Sequence, residues 1–157
     1  KTNAVIYCVG DAGVSKTLQD NIVINRLSET ARGSVVPLCG DLSVRESLTL
    51  ATLADCVVGP ETGILNAVAY LASVAKVVFL SHSSHENLTK DWLNTKPLAG
   101  KSACYPCHLM HYDWSTCRQD SETGAAMCAA GIDPRYVFDV TRRMLLSTCS
   151  TRLVTKG

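Results

Sequence analysis

The chain has 157 residues, of which 46% are apolar and 18% charged, with a formal net charge of +1. That length suits one domain with a real core, and the composition is that of a globular chain rather than a disordered one. The scattered, near-balanced charge offers no basic stripe or acidic tail for nucleic acid or an anionic membrane, and no apolar run is long enough to span a bilayer.

Residues 4–9 (AVIYCV) form a continuous apolar run closed by Gly10-Asp11, the pattern of a strand buried on both faces. Residues 15–31 read as a helix: Val14, Leu18 and Ile22 recur every four positions, as do Val23 and Leu27, and Gly33 stands where a C-terminal cap belongs. Residues 35–38 are a second strand, ended by Cys39-Gly40-Asp41. Ser43 and Glu46 make a capping box that opens a helix with Leu48, Leu50, Leu53 and Ala54 on its apolar face. Residues 56–58 are a third strand, 62–73 a third helix and 76–80 (KVVFL) a fourth strand.

Strands and helices alternate with short connections, which predicts an α/β fold: a Rossmann-like parallel sheet flanked by helices. Residues 81–132, rich in Ser, His, Asn, Cys and Gly, interrupt the alternation and read as an insertion within a single domain covering 1–157. A final helix is expected over 133–146, with Pro134 in its first turn.

Ligands of open parallel sheets bind beyond the carboxyl ends of the strands. Four polar turns fall on that edge: Gly10-Asp11-Ala12-Gly13, Gly40-Asp41-Leu42-Ser43, Gly59-Pro60-Glu61-Thr62-Gly63, and Ser81-His82-Ser83-Ser84-His85. Helix starts offer free amides to phosphate, Gly63 lets a ligand approach the backbone, and Asn66 lies one helical turn further on. The plainer reading is that Glu61 and Thr62 are ordinary first-turn residues after a Gly-Pro turn, and that His82 and His85 lie on a solvated loop. None of the turns matches the G-x-G-x-x-G dinucleotide fingerprint.

The stretch GDLSVRESLTLATLADCVVGPETGILNAVAYL resembles the donor half of the family 9 glycosyltransferases, the heptosyltransferase-like enzymes of bacterial lipopolysaccharide assembly. The resemblance extends over roughly residues 4–147 and includes the later CYPC and Ile132-Asp133-Pro134-Arg135-Tyr136-Val137. It implies the C-terminal domain of a two-domain GT-B enzyme that binds a nucleotide-diphosphate sugar and transfers the sugar to a glycan or lipid-linked acceptor. Glu61-Thr62-Gly63 stands where the family usually has Asp-Thr-Gly, and Asn66 where it usually has His.

The resemblance further implies that Thr62 and Gly63 hold the diphosphate and that Glu61 meets sugar or ribose hydroxyls. Gly40, Asp41 and Ser43 would lie near the base or ribose. Independently of the resemblance, the position of His82 and His85 after the fourth strand, at the ligand edge, is that of residues that contact phosphate or sugar. No cofactor is required for transfer. The catalytic base belongs to the family's N-terminal domain, and the expected location is cytoplasmic or peripheral at the inner membrane.

Cys104, Cys107, Cys117 and Cys128 are spaced C-x2-C-x9-C-x10-C, with His108 and His111 nearby. A C-x2-C pair is half of a common zinc site, but the second half lacks a close pair. Three readings stand: a structural zinc, a disulfide-stapled or simply packed loop, and thioredoxin-like redox chemistry, the last disfavoured by the irregular surroundings. Cys8, Cys39, Cys56 and Cys149 read as packing residues, and Trp92 and Trp114 as small satellite cores. The reading from another class is a non-catalytic module that binds nucleotide or sugar phosphate, or a zinc-stabilised interaction domain.

Overall fold

A computed structural model describes residues 4–13, 27–108 and 117–154. The chain divides into two compact units, Lys1–Thr49 and Leu50–Gly157.

In the first unit, β1 (Ile6–Cys8) pairs in parallel with β2 (Val35–Pro37), with Tyr7 opposite Val36. Most of the helix expected over 15–31 lies outside the described residues. Its last part is a separate turn, α1 (Glu29–Arg32), because Ser28 is extended at φ −60° and ψ 155° and its hydroxyl accepts from the Ala31 amide. A serine that satisfies a free amide this way starts a helix rather than continuing one. Gly33 caps the turn as expected, though with right-handed backbone. Ser43 and Glu46 form the expected capping box: the Ser43 amide and hydroxyl donate to Glu46 Oε2 at 2.8 and 2.6 Å, and the Glu46 amide donates to Ser43 Oγ at 3.3 Å. These bonds hold the Glu46 carboxyl below its usual range. They open α2 (Val44–Leu53), which crosses the division between the units.

The second unit contains a parallel sheet in the order β3 (Cys56–Pro60), β4 (Ala75–Leu80), β5 (Thr95–Ala99). Val58 faces Val77, and Val78 faces Pro97. β5 lies inside 81–132, the segment whose sequence interrupts the strand–helix alternation. TKPLA carries Lys96 and Pro97 and lacks a strand's apolar alternation, yet Pro is tolerated at an edge, and among the described residues β5 pairs only with β4. Short helices α4 (His85–Leu88) and α5 (Met127–Ala130) also occupy that segment, with α3 (Gly63–Ala67) before it and α6 (Pro134–Val154) after it.

β4 is buried on both faces, and its alternation sorts the core. Val77 packs with Leu98 and Val140 of α6, with Phe79, Val137 and Met144 around them. Val78 and Leu80 face the other way, onto Leu65, Trp92 and Tyr105. Trp92 thus joins the core as a satellite, while Trp114 lies outside the described residues.

Two helices differ in length from expectation. α3 ends at Ala67, with Val68 as its C-cap, instead of running to residue 73. The carbonyls of Val68, Leu71 and Val74 turn inward and accept hydrogen bonds from the wholly buried Lys76 ammonium at 3.1, 2.8 and 2.8 Å. A continuing helix would direct those carbonyls along its axis. α6 begins as expected, with Asp133 Oδ1 accepting from the Arg135 amide at 2.9 Å, but extends to Val154. Thr148, buried on it, accepts from Asn94 Nδ2 at 3.2 Å, a tertiary contact beyond the reach of local propensity.

Candidate functional site

The polar turns after β3 and β4 meet at the carboxyl ends of those strands. Glu61 follows the last residue of β3, and its side chain is only 3% exposed. Its carboxylate is surrounded by donors from the turn after β4. The Ser81 amide and hydroxyl both donate to Oε1, the hydroxyl at 3.1 Å. The His82 amide donates to Oε1 at 3.0 Å and the Ser83 amide to Oε2 at 3.1 Å. Burial works against ionisation of this carboxyl, but the donors of Ser81, Ser83 and His82 outweigh it and hold it below the usual carboxylate range.

The same turn is tied from its other side. The His108 amide donates to the His82 carbonyl at 2.8 Å, with His108 itself at φ 51°. The His82 ring is 41% exposed, with Nε2 3.4 Å from Glu61 Oε2 and Nδ1 3.5 Å from Ser81 Oγ. Tyr105, in the CYPC turn with a cis peptide before Pro106, packs against the Leu65, Val78 and Leu80 cluster. Burial raises its phenol pKa, with the charges of Glu61 and Glu86 adding to the effect.

The other residues expected at this edge surround the start of α3. Thr62 is its N-cap, exposed, with no side-chain capping bond. A Cβ added at Gly63 would meet nothing within 4 Å, so the space over the backbone is open. Asn66 turns back on its own helix, its side-chain amide donating to the Thr62 carbonyl at 3.0 Å. His85 is exposed and pairs through Nδ1 with the Thr89 hydroxyl at 2.8 Å.

Gly40, Asp41 and Ser43 belong to the first unit and are exposed there. Gly40 has φ +81°, its amide donates to the Gly10 carbonyl at 2.9 Å, and an added Cβ would lie 3.0 Å from Ala12 Cα. The first and second polar turns are therefore bonded to each other at the carboxyl ends of β1 and β2.

Among the described residues, Cys104, Cys107, Cys117 and Cys128 are not joined in disulfides. The Cys128 thiol is pushed up, first by burial and then by the neighbouring Cys104 and Cys117 thiols. Met127 donates its amide to the Arg118 carbonyl at 3.0 Å, which folds this segment back on itself. Among the described residues, no three His, Cys, Asp or Glu side chains are grouped to hold a metal ion; His111 lies outside them.

That Ser81 and Ser83 are partners of Glu61 was not foreseen from the sequence. The signal that could have found Ser81 and Ser83 was the position of the two turns, each directly after a strand of one parallel pair.

Neither a protein-family model nor a curated protein sequence matches the chain. The solved structure of E. coli ADP-heptose LPS heptosyltransferase II is similar, with a TM-score of 0.65 at 14% identity. The likeness covers 91% of this chain and 37% of that one, so the chain spans little more than a third of that enzyme's length. At this identity the likeness is one of fold, and it identifies the chain as an α/β, Rossmann-like parallel fold of the kind found in that GT-B enzyme.

Proposed function

We propose that the chain is the nucleotide-sugar donor-binding domain of a heptosyltransferase-like glycosyltransferase. The observation that carries this reading is the fold likeness over nearly the whole chain, combined with the polar turns after β3 and β4 bonded together at the carboxyl ends of the strands. The open backbone at Gly63 and the N-cap Thr62, whose hydroxyl makes no capping bond, would receive the diphosphate. Asn66 would flank it.

In this reading the donor is a nucleotide-diphosphate sugar and the acceptor a glycan or lipid-linked saccharide of lipopolysaccharide type in a bacterium. Transfer proceeds by positioning and by stabilising the leaving diphosphate, with no cofactor. The acceptor surface and catalytic base would come from an N-terminal domain not represented among these residues. No described helix is long and apolar enough to cross a membrane, and the proposed location is cytoplasmic or peripheral at the inner membrane. A structural zinc on Cys104, Cys107, Cys117 and Cys128 is a separate proposal from their spacing. Metal analysis of purified protein decides it: about one ion per chain supports it and none rejects it.

The test of donor binding is a thermal-shift panel of ADP, UDP and GDP and their sugar conjugates. A ligand at 100 times its Kd adds about 2.7 kcal/mol to stability, so one nucleotide series should raise the melting temperature by several degrees. A flat response across the panel, with no binding by calorimetry, rejects the reading.

A further inference from the structure

The Glu61 carboxylate is not available in the way a ligand-binding carboxylate would be. Both oxygens are engaged by the turn after β4, and the side chain is almost wholly buried. A carboxylate that accepts several N–H and O–H donors is satisfied, and turning it toward a sugar would strip buried amides of their acceptor. The His82 ring, by contrast, is exposed and lies against the same carboxylate, while its backbone is held on one side by Glu61 and on the other by the His108 amide.

We propose that Glu61 is a positioning residue: its buried carboxylate holds the backbone of Ser81, His82 and Ser83 so that the exposed His82 ring faces the diphosphate of the donor, and it does not itself touch the sugar. This rests on the donor-site reading. It changes the role of Glu61 within that site from ligand to anchor and makes His82 the side chain through which the turn acts. The longer arm of Glu, in place of the Asp that the resemblance leads one to expect, spans the distance to the neighbouring strand's turn.

The experiment compares the protein with its Glu61→Gln, His82→Ala and doubly substituted variants. Calorimetry uses whichever of ADP, UDP or GDP binds, the corresponding nucleoside and the corresponding nucleotide sugar. Hydrogen exchange is followed at the amides of Ser81, His82 and Ser83. His82 is exposed, so its truncation leaves the fold intact and tests the proposal even if Glu61→Gln folds poorly.

Loss of one charge-assisted contact corresponds to about tenfold or more in affinity. His82→Ala should weaken the nucleoside diphosphate by that factor and leave the nucleoside unchanged. Glu61→Gln should weaken the nucleoside diphosphate in the same direction and speed exchange at the three amides. The double variant should lose little more than either single one, because Glu61 acts through His82.

A Glu61→Gln loss confined to the nucleotide sugar and additive with His82→Ala would overturn the proposal, since it marks direct sugar contact. Unchanged diphosphate affinity in His82→Ala would overturn it as well. If the unsubstituted protein binds no nucleotide, the donor-site reading falls and takes the role of His82 with it. The exchange measurement then still decides separately whether Glu61 anchors the turn, so the two failures are distinguishable.

Discussion

The Lys76 ammonium donates to the Leu71 carbonyl at 2.8 Å from a side chain with no solvent exposure. Val68 and Val74 supply two more carbonyls, so each of the three ammonium N–H groups has an acceptor. This arrangement closes α3, shapes the connection to β4 and thereby sets where β4 delivers the 81–83 turn.

Lys76→Met should therefore destabilise the second unit. The apolar stem is replaced, but three inward-facing carbonyls lose their donor, at about 1–3 kcal/mol for each buried group left unsatisfied. We expect a loss of about 3 kcal/mol or more in urea unfolding. A variant with unchanged midpoint and slope would show that the carbonyls find other donors.

Lys76 also makes stability depend on pH. Burial pushes its pKa down from 10.5 to about 8, and burial pushes the neighbouring Cys56 thiol up from 9.0 to about 11. Between pH 8 and 10.5 the unfolded chain holds the lysine proton more tightly than the folded one, so stability rises with pH. Between pH 9 and 11 the folded chain retains the Cys56 proton that the unfolded chain releases, so this contribution falls with pH. The sum should rise by about 1 kcal/mol from pH 8 to 9 and then flatten. In Cys56→Ala the rise should continue toward pH 10.5. Urea midpoints measured across this range for both proteins check the sign, and a steady fall from pH 8 to 9 in both would refute it.

Gly100, just after β5, has no room for a side chain: a Cβ there would lie 1.9 Å from the Cys128 carbonyl oxygen. Gly131 packs against the same place, its own added Cβ 3.2 Å from the Lys101 amide nitrogen. Gly100→Ala should therefore push α5 away from the end of β5. The expected result is a loss of about 2–4 kcal/mol, with faster alkylation of Cys128 in native protein. Wild-type alkylation rates would show that α5 moves without cost.

Gly63 is the opposite case. With nothing within 4 Å of an added Cβ and no positive φ, Gly63→Val should change stability by less than about 1 kcal/mol. Under the proposed function the valine fills the space where the diphosphate approaches, so nucleoside diphosphate affinity should fall at least about tenfold. Unchanged affinity in a stable variant would move the diphosphate away from this turn.

Local chemistry determined part of this protein unaided. The Ser43–Glu46 capping box needs residues only three apart, and the run at residues 77–80 is apolar whichever neighbours it meets. Their alternation with helical periods is enough to specify a parallel α/β arrangement, because short crossovers leave few other ways to bury both faces.

What only tertiary structure decided involves partners distant in the chain. TKPLA is a strand because the free edge of β4 offers its backbone groups, not because its residues favour one. α3 stops where it does because the Lys76 ammonium draws in the carbonyls of Val68, Leu71 and Val74. Glu61 reads in sequence as a first-turn carboxylate open to ligand. It became an anchor because β3 and β4 lie side by side and bring the amides of Ser81, His82 and Ser83 to it across twenty residues of chain. A buried carboxylate takes the donors nearest in space, and strand pairing sets which those are.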